Sequence, residues 1–254
     1  MRSLLIANII LLSCLLQVQQ ETCLGAEILP KKFGIKAKII YLDPWYDEKE
    51  KGPLFGQKYG KDITLEIAQR IKNFLEMDGF KVFLSRTGDQ WVSLDKRLFQ
   101  AKSQGADMHV SIKVSKAKKD CIKILLPRLF IKEVEFPSTK KIEDLGAEVN
   151  EMLDSLEAAS INVESIFLGK TISERMSKTV FSKNIELRRG TNFILKNAQV
   201  PTVMVDFQLS SRNNHMFDSA SLEQIVQQLA DAIKEYSEGR NSKQITNENK
   251  NVLP

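Results

Sequence analysis

The chain has 254 residues, 43% of them apolar, and a formal charge of +5 from 37 Lys and Arg against 32 Asp and Glu. This length suits one or two domains, and the apolar share is enough for a real core. The modest positive excess is interspersed with acidic residues and has no accompanying basic and aromatic stripe. That argues against a nucleic-acid partner and suits at most a weak attraction to an anionic wall or membrane surface.

In chain order, Met1-Arg2 and the apolar run at 4–16 read as the charged region and apolar stretch of an export signal. At about 13 residues the run is shorter than the roughly 20 a membrane span needs. Leu24-Gly25-Ala26 resembles a small-residue cleavage site, so residues 1–26 are expected to be a signal peptide. Two alternatives stay open. Cys14 after Leu11-Leu12-Ser13 would be a lipidated cysteine, or the segment would remain as an uncleaved anchor; either would be the chain's only tie to a membrane. Of the three cysteines, only Cys121 remains after cleavage, so no internal disulfide is expected. Cys121 opens an apolar stretch with no histidine nearby in sequence to activate it, and reads as a buried, inert thiol.

Residues 36–42 (KAKIIYL) form a β-branched run ending at Asp43-Pro44, and the proline prevents a helix from following directly. Residues 45–59 are a charged loop. Over 61–79, Ile63, Leu65, Ile67, Ala68, Ile71, Phe74 and Leu75 recur at mostly three- and four-residue spacings, which predicts a helix stopped by Gly79. Residues 81–85 are a short strand. Ser93 caps a helix through Gln104 that buries Leu94, Leu98 and Ala101, and Gly105 ends it. Residues 107–114 (DMHVSIKV) are a third strand. Beyond them, 121–134 read as one or two strands interrupted at Pro127. Pro137-Ser138 opens a helix to about Ser160, a second helix covers about 165–183, Thr202 to Phe207 form a strand, and 221–236 form a last helix. The polar tail from Ser237 lacks apolar periodicity and is expected to be disordered. Alternation of this kind predicts a single α/β domain over 36–236, a mostly parallel twisted sheet with helices on both faces. Its chemistry would lie beyond the carboxyl ends of the strands. No CxxC, phosphate-binding loop, HExxH or nucleophile elbow is present.

The runs LDP, GPLFGQKYGKDITLEIA, FKVFLSRTGD, VSLDKRLFQAKSQGADMHVSIK and VPTVMVDFQLSS resemble, in order and spacing over residues 36–212, the zinc-dependent N-acetylmuramoyl-L-alanine amidases that cut bacterial walls. The resemblance implies an amidase, zinc-exopeptidase-like architecture and a set of site positions. The family's Asp-Pro-Gly-His-Gly-Gly stands here as Asp43-Pro44-Trp45-Tyr46-Asp47-Glu48, so Tyr46 takes the place of the first histidine ligand. The family's Glu-Lys-Asp is Gly60-Lys61-Asp62, which puts glycine at the carboxylate ligand. Its Ser-Ile-His is Ser111-Ile112-Lys113, which puts lysine at the second histidine. The catalytic glutamate falls on Asp206, expected to be vestigial.

Glycine has no donor, an ammonium repels a dication, and a phenol of ordinary pKa near ~10 is a poor zinc ligand at neutral pH. The resemblance therefore implies a member that has lost zinc and uses no cofactor, an exported module that binds peptidoglycan or a cell-envelope protein. The alternative is an active enzyme with an oxygen-only metal site built from Asp43, Asp47, Asp62 and Asp206. The loop at 45–59 is either a solvated connection or places Trp45 and Tyr46 to fill the metal cavity or stack on a ligand. Lys113 is expected either to pair with Asp206 or to reach solvent. Arg188 and Arg189 are expected either to clamp a stem-peptide carboxylate at the cleft mouth or to form a solvated basic pair.

Overall fold

The computed structural model describes residues 39–128, 145–179, 184–210 and 219–239. Its strands are β1 (Ile39–Pro44), β2 (Leu54–Phe55), β3 (Lys58–Tyr59), β4 (Lys81–Leu84), β5 (Met108–Ala117), β6 (Cys121–Leu126), β7 (Ile185–Arg189) and β8 (Thr202–Ser210). Its helices are α1 (Gly60–Met77), α2 (Leu94–Ser103), α3 (Leu145–Met176), α4 (Phe193–Lys196) and α5 (Ser219–Ser237). Six strands form one sheet in the order β4-β1-β5-β8-β6-β7, and β2 with β3 makes a separate small hairpin. β4, β1, β5 and β8 run parallel; β6 is antiparallel to β8, and β7 is parallel to β6.

Period-two alternation sends successive residues of β1 to opposite faces. Ile40 and Leu42 join the larger core with Ile63, Ile67, Ile71 and Leu75 of α1, while Tyr41 packs with Ala101 and Ala106 on the other face. Each fully buried aliphatic side chain of α1 contributes about 1.5–3 kcal/mol of transfer free energy. α1, α3 and α5 cover the larger-core side, and α2 packs on α4. The expected α/β fold with a mostly parallel sheet is therefore observed.

Several boundaries differ from the sequence expectation. β5 reaches Ala117 and β8 reaches Ser210, because the two strands pair in unbroken register from His109↔Thr202 to Ala117↔Ser210. Residues 121–126 form one strand that stops before Pro127. The two helices predicted over 137–183 are one helix, α3. No Gly or Pro lies between Ser160 and Ser165, and Ser165 does not cap a new helix. Its hydroxyl donates back to Ile161 O at 2.7 Å and accepts from Thr202 N at 2.8 Å. The expected helix start at 137–144 lies outside the described residues. The expected tail starts too early: Ser237 is helical, its hydroxyl donating to Ile233 O at 2.8 Å. Residues 240–254, like the expected signal peptide, lie outside the described residues.

Candidate functional site

Positions 46, 60, 113 and 206 come from β1's exit, the first turn of α1, and the neighbouring strands β5 and β8. Tyr46 is the one non-glycine residue with positive φ (71°) among the described residues. For an aromatic residue that backbone costs about 1–3 kcal/mol and persists only where its surroundings enforce it. The enforcing contacts are visible. The Tyr46 hydroxyl donates to Val114 O at 2.7 Å, and its ring lies against Gly52 and Gly60. A Cβ at Gly60 would meet Tyr46 Cε2 at 2.9 Å and Val114 Cγ2 at 3.1 Å; one at Gly52 would meet the ring at 2.7 Å. Both glycines are thus required by close approach of the ring. Burial, with the nearby Asp206 and Glu50 charges, outweighs a hydrogen bond from Ser115 and pushes the Tyr46 pKa up to about 12.

Of the charged loop, Glu48, Lys49 and Glu50 are exposed while Tyr46 and Asp47 are buried, so the wholly solvated reading of 45–59 is corrected. Two buried arginines shape this segment. Arg86 donates to the carbonyls of Pro44 (3.1 Å), Trp45 (3.3 Å), Lys61 (2.7 Å) and Gly88 (2.8 Å), joining the β1 exit to α1. Arg97 pairs with Asp43 and, at 3.2 Å, with Asp47. Burial raises the Asp43 pKa, but the Arg97 guanidinium, with His109 and Ser85, outweighs it and holds that carboxyl well below the usual range. Sequence reading had singled out neither arginine. Arg97 was detectable, since it lies three residues after Leu94 and four before Ala101, on the buried stripe of α2.

His109 is fully buried on the α2 face, away from positions 46 and 60. Its Nε2 lies 3.6 Å from Asp43 Oδ2 and 3.3 Å from Ser111 Oγ, and its ring stands edge-on to Tyr41. The Ser111 hydroxyl donates a hydrogen bond to Asp43 Oδ2 at 2.9 Å, so this trio is a buried structural network and presents no exposed nucleophile. Cys121 is half-buried rather than buried, and burial together with the Glu186 charge pushes its pKa up. His215 lies outside the described residues.

Lys113 and Asp206 are register partners on β5 and β8, yet no ion pair joins them among the described residues. Lys113 instead holds its ammonium 5.7 Å from the Trp45 ring, whose centroid is 5.8 Å from the Arg97 guanidinium. Asp206 accepts from Ser115 at 2.7 Å and from Gln208 at 3.0 Å, which satisfies its two oxygens locally and removes the need for an ammonium. Arg188 and Arg189 end the edge strand β7, four strands from β1, with Arg188 in the register row of Leu125, Met204, Ser111 and Asp43. There Arg188 binds Glu186 and Arg189 binds Pro127 O, both at 2.8 Å.

The four carboxylates of an oxygen-only metal site do not converge either. Asp43 and Asp47 are held by Arg97, Asp62 accepts from Tyr59 N at 3.1 Å, and Asp206 is bound as above. Among the described residues no three His, Cys, Asp or Glu side chains gather as a metal would require. Beside Tyr46 an open groove of about 500 Å³ is lined by Trp45, Trp91, Phe193, Lys49 and Glu50, with Lys49 lying 3.7 Å over the Trp91 ring.

A mostly parallel six-stranded sheet covered by helices makes this an α/β fold. Residues 40–235 match the family model described as N-acetylmuramoyl-L-alanine amidase, and the chain belongs to that family. It is 37% identical over 78 residues to the sporulation-specific N-acetylmuramoyl-L-alanine amidase of Bacillus subtilis (strain 168), covering 30% of this chain and 31% of that protein. It is 36% identical over 76 residues to the amidase AmiC of Escherichia coli O6:H1, covering 29% and 18%. The matched stretches thus span about a third or less of these curated relatives. Among solved structures, the amidase AmiC2 of Nostoc punctiforme superposes with TM-score 0.60 at 18% identity, covering 80% of this chain and 98% of that one. The CwlD amidase of Clostridioides difficile, in complex with the GerS lipoprotein, gives 0.58 at 20% identity, covering 78% and 98%.

Proposed function

We propose that this chain is a catalytically inactive N-acetylmuramoyl-L-alanine amidase homologue, exported to the cell envelope, where it binds peptidoglycan or an envelope protein. The observation that carries the reading is the Tyr46 ring lying where a side chain at position 60 would have to stand. A catalytic zinc needs three nitrogen, sulfur or carboxylate donors and an open position for water. Positions 46, 60 and 113 offer a phenol whose proton is committed to Val114 O, a bare backbone and an ammonium. This donor set does not fit zinc. Asp206, at the place of the family's catalytic glutamate, is then a vestige engaged with Ser115 and Gln208.

A binding role draws support from family membership and from the half-exposed aromatics Trp91 and Phe193 beside the site. The CwlD–GerS complex offers a precedent for an envelope protein as partner of this fold. No helix among the described residues is long and apolar enough to cross a membrane.

Metal analysis of the purified chain, run beside dye release from labelled peptidoglycan and a pull-down on insoluble wall material, tests the reading. The expected result is substoichiometric zinc, no dye release, and retention on the wall or co-isolation of an envelope protein. Stoichiometric zinc with turnover would reject it.

A further inference from the structure

We propose that Tyr46 has taken over the mechanical work of the missing metal, acting as a built-in cross-link between the elements that a bridging ion would join. This rests on the reading that positions 46, 60 and 113 are the former ligand positions. An ion held there would tie the β1–α1 loop, the first turn of α1 and the end of β5 to one another. Tyr46 ties the same three alone.

Its backbone leaves β1, its ring lies on Gly60 at the start of α1, and its hydroxyl donates to the β5 carbonyl of Val114 at 2.7 Å. The ring also lies on Gly52 in the loop, at φ 71°. A left-handed backbone aims it inward, and Arg86 fixes that backbone by binding the carbonyls of Pro44 and Trp45 on one side and Lys61 on the other. The glycine at 60 then follows from the tyrosine at 46. Any Cβ there would stand 2.9 Å from the ring and 3.1 Å from Val114, so the two positions are coupled through one space.

The test is a double-substitution cycle on the full chain. Gly60→Ala is made in the parent and in Tyr46→Gly, where glycine suits the left-handed backbone and removes the ring. Thermal unfolding reads each variant, and Tyr46→Phe, which keeps the ring and loses the donor, is followed by hydrogen exchange at the end of β5. In the parent background Gly60→Ala is expected to lower Tm by about 4 °C or more. In the Tyr46→Gly background it should lower Tm by less than half as much. Tyr46→Phe should speed exchange at 114–117 relative to the rest of β5. Equal losses in both backgrounds, or unchanged exchange in Tyr46→Phe, would overturn the cross-link. Zinc content of the same samples separates the two readings: additive losses in zinc-free protein reject Tyr46's role alone, whereas stoichiometric zinc in the parent rejects the inactive reading on which it rests.

Discussion

Arg97 and Asp43 meet beneath the exit of β1 with side chains only 3% and 0% exposed, an ion pair sealed from water on both sides. Breaking a buried pair from one side leaves an uncompensated charge and costs about 3–5 kcal/mol, more than a surface pair contributes. Arg97→Met is therefore expected to lose about 3–5 kcal/mol in urea unfolding at neutral pH. Adding Asp43→Asn to it should recover part of that loss. A loss under about 1 kcal/mol for the single variant would mean the pair is not structural.

The same carboxylate sets the acid limb of stability. Its folded pKa lies below its ordinary 3.8, so the unfolded chain binds the proton more tightly. Its contribution is complete above that ordinary value and is lost as pH falls below it toward the folded pKa. Unfolding free energies followed from pH 6 downward should fall more gently in Asp43→Asn than in the parent. Parallel curves would show that Asp43 does not carry the effect.

At the alkaline end the sign reverses. Tyr46 is held neutral up to about 12 against an ordinary 10.0, so the folded chain keeps its proton longer than the unfolded one. Its stabilising share is present below pH 10 and declines as pH rises toward 12. Difference absorbance of phenolate formation, parent minus Tyr46→Phe, should place one late-titrating tyrosine near 12. Titration of that tyrosine near 10 would mean its hydroxyl is solvated.

Metal removal should change nothing. A ligand at a hundredfold its Kd stabilises by about 2.7 kcal/mol, which a chain of this size reports as a rise of several degrees. Scanning calorimetry with chelator or with added zinc is expected to give the same Tm within about 1 °C. A zinc-dependent rise would point to a site elsewhere in the chain.

Lys113 and Asp206 should behave as strangers despite their register. A double cycle of Lys113→Met and Asp206→Asn is expected to show coupling no larger than about 0.5 kcal/mol. Coupling above about 1 kcal/mol would restore the pair.

Apolar periodicity made β1, α1, β4, α2, β5 and the last helix legible, because each buries one regular face, whereas the two-residue strands β2 and β3 were read as loop. The long α3 was read as two helices, one to about Ser160 and one from about Ser165, but it runs through, with the Ser165 hydroxyl turned back on Ile161 and its oxygen taken by Thr202. Order and spacing pointed to positions 46, 60, 113 and 206 but carried nothing about their contacts. Whether Lys113 reaches Asp206 depends on Gln208, two residues along β8, and on Ser115, a neighbour only once β5 and β8 pair. The directions of β6 and β7 were not legible, because strand direction at a sheet edge leaves no mark in local pattern: β6 reverses, and carries β7 with it.

The sheet order has a temporal consequence. β5 and β6 follow one another in the chain across residues 118–120 but never pair; β8 lies between them, and Ser210 N is caught by Asp120 Oδ1 at 2.6 Å. The middle of the sheet is therefore, among the described strands, the last to leave the ribosome. Two strands made some 80 residues earlier wait with facing edges unsatisfied until it slots in. Such long-range closure slows folding, and during it those edges are open to strands of other chains.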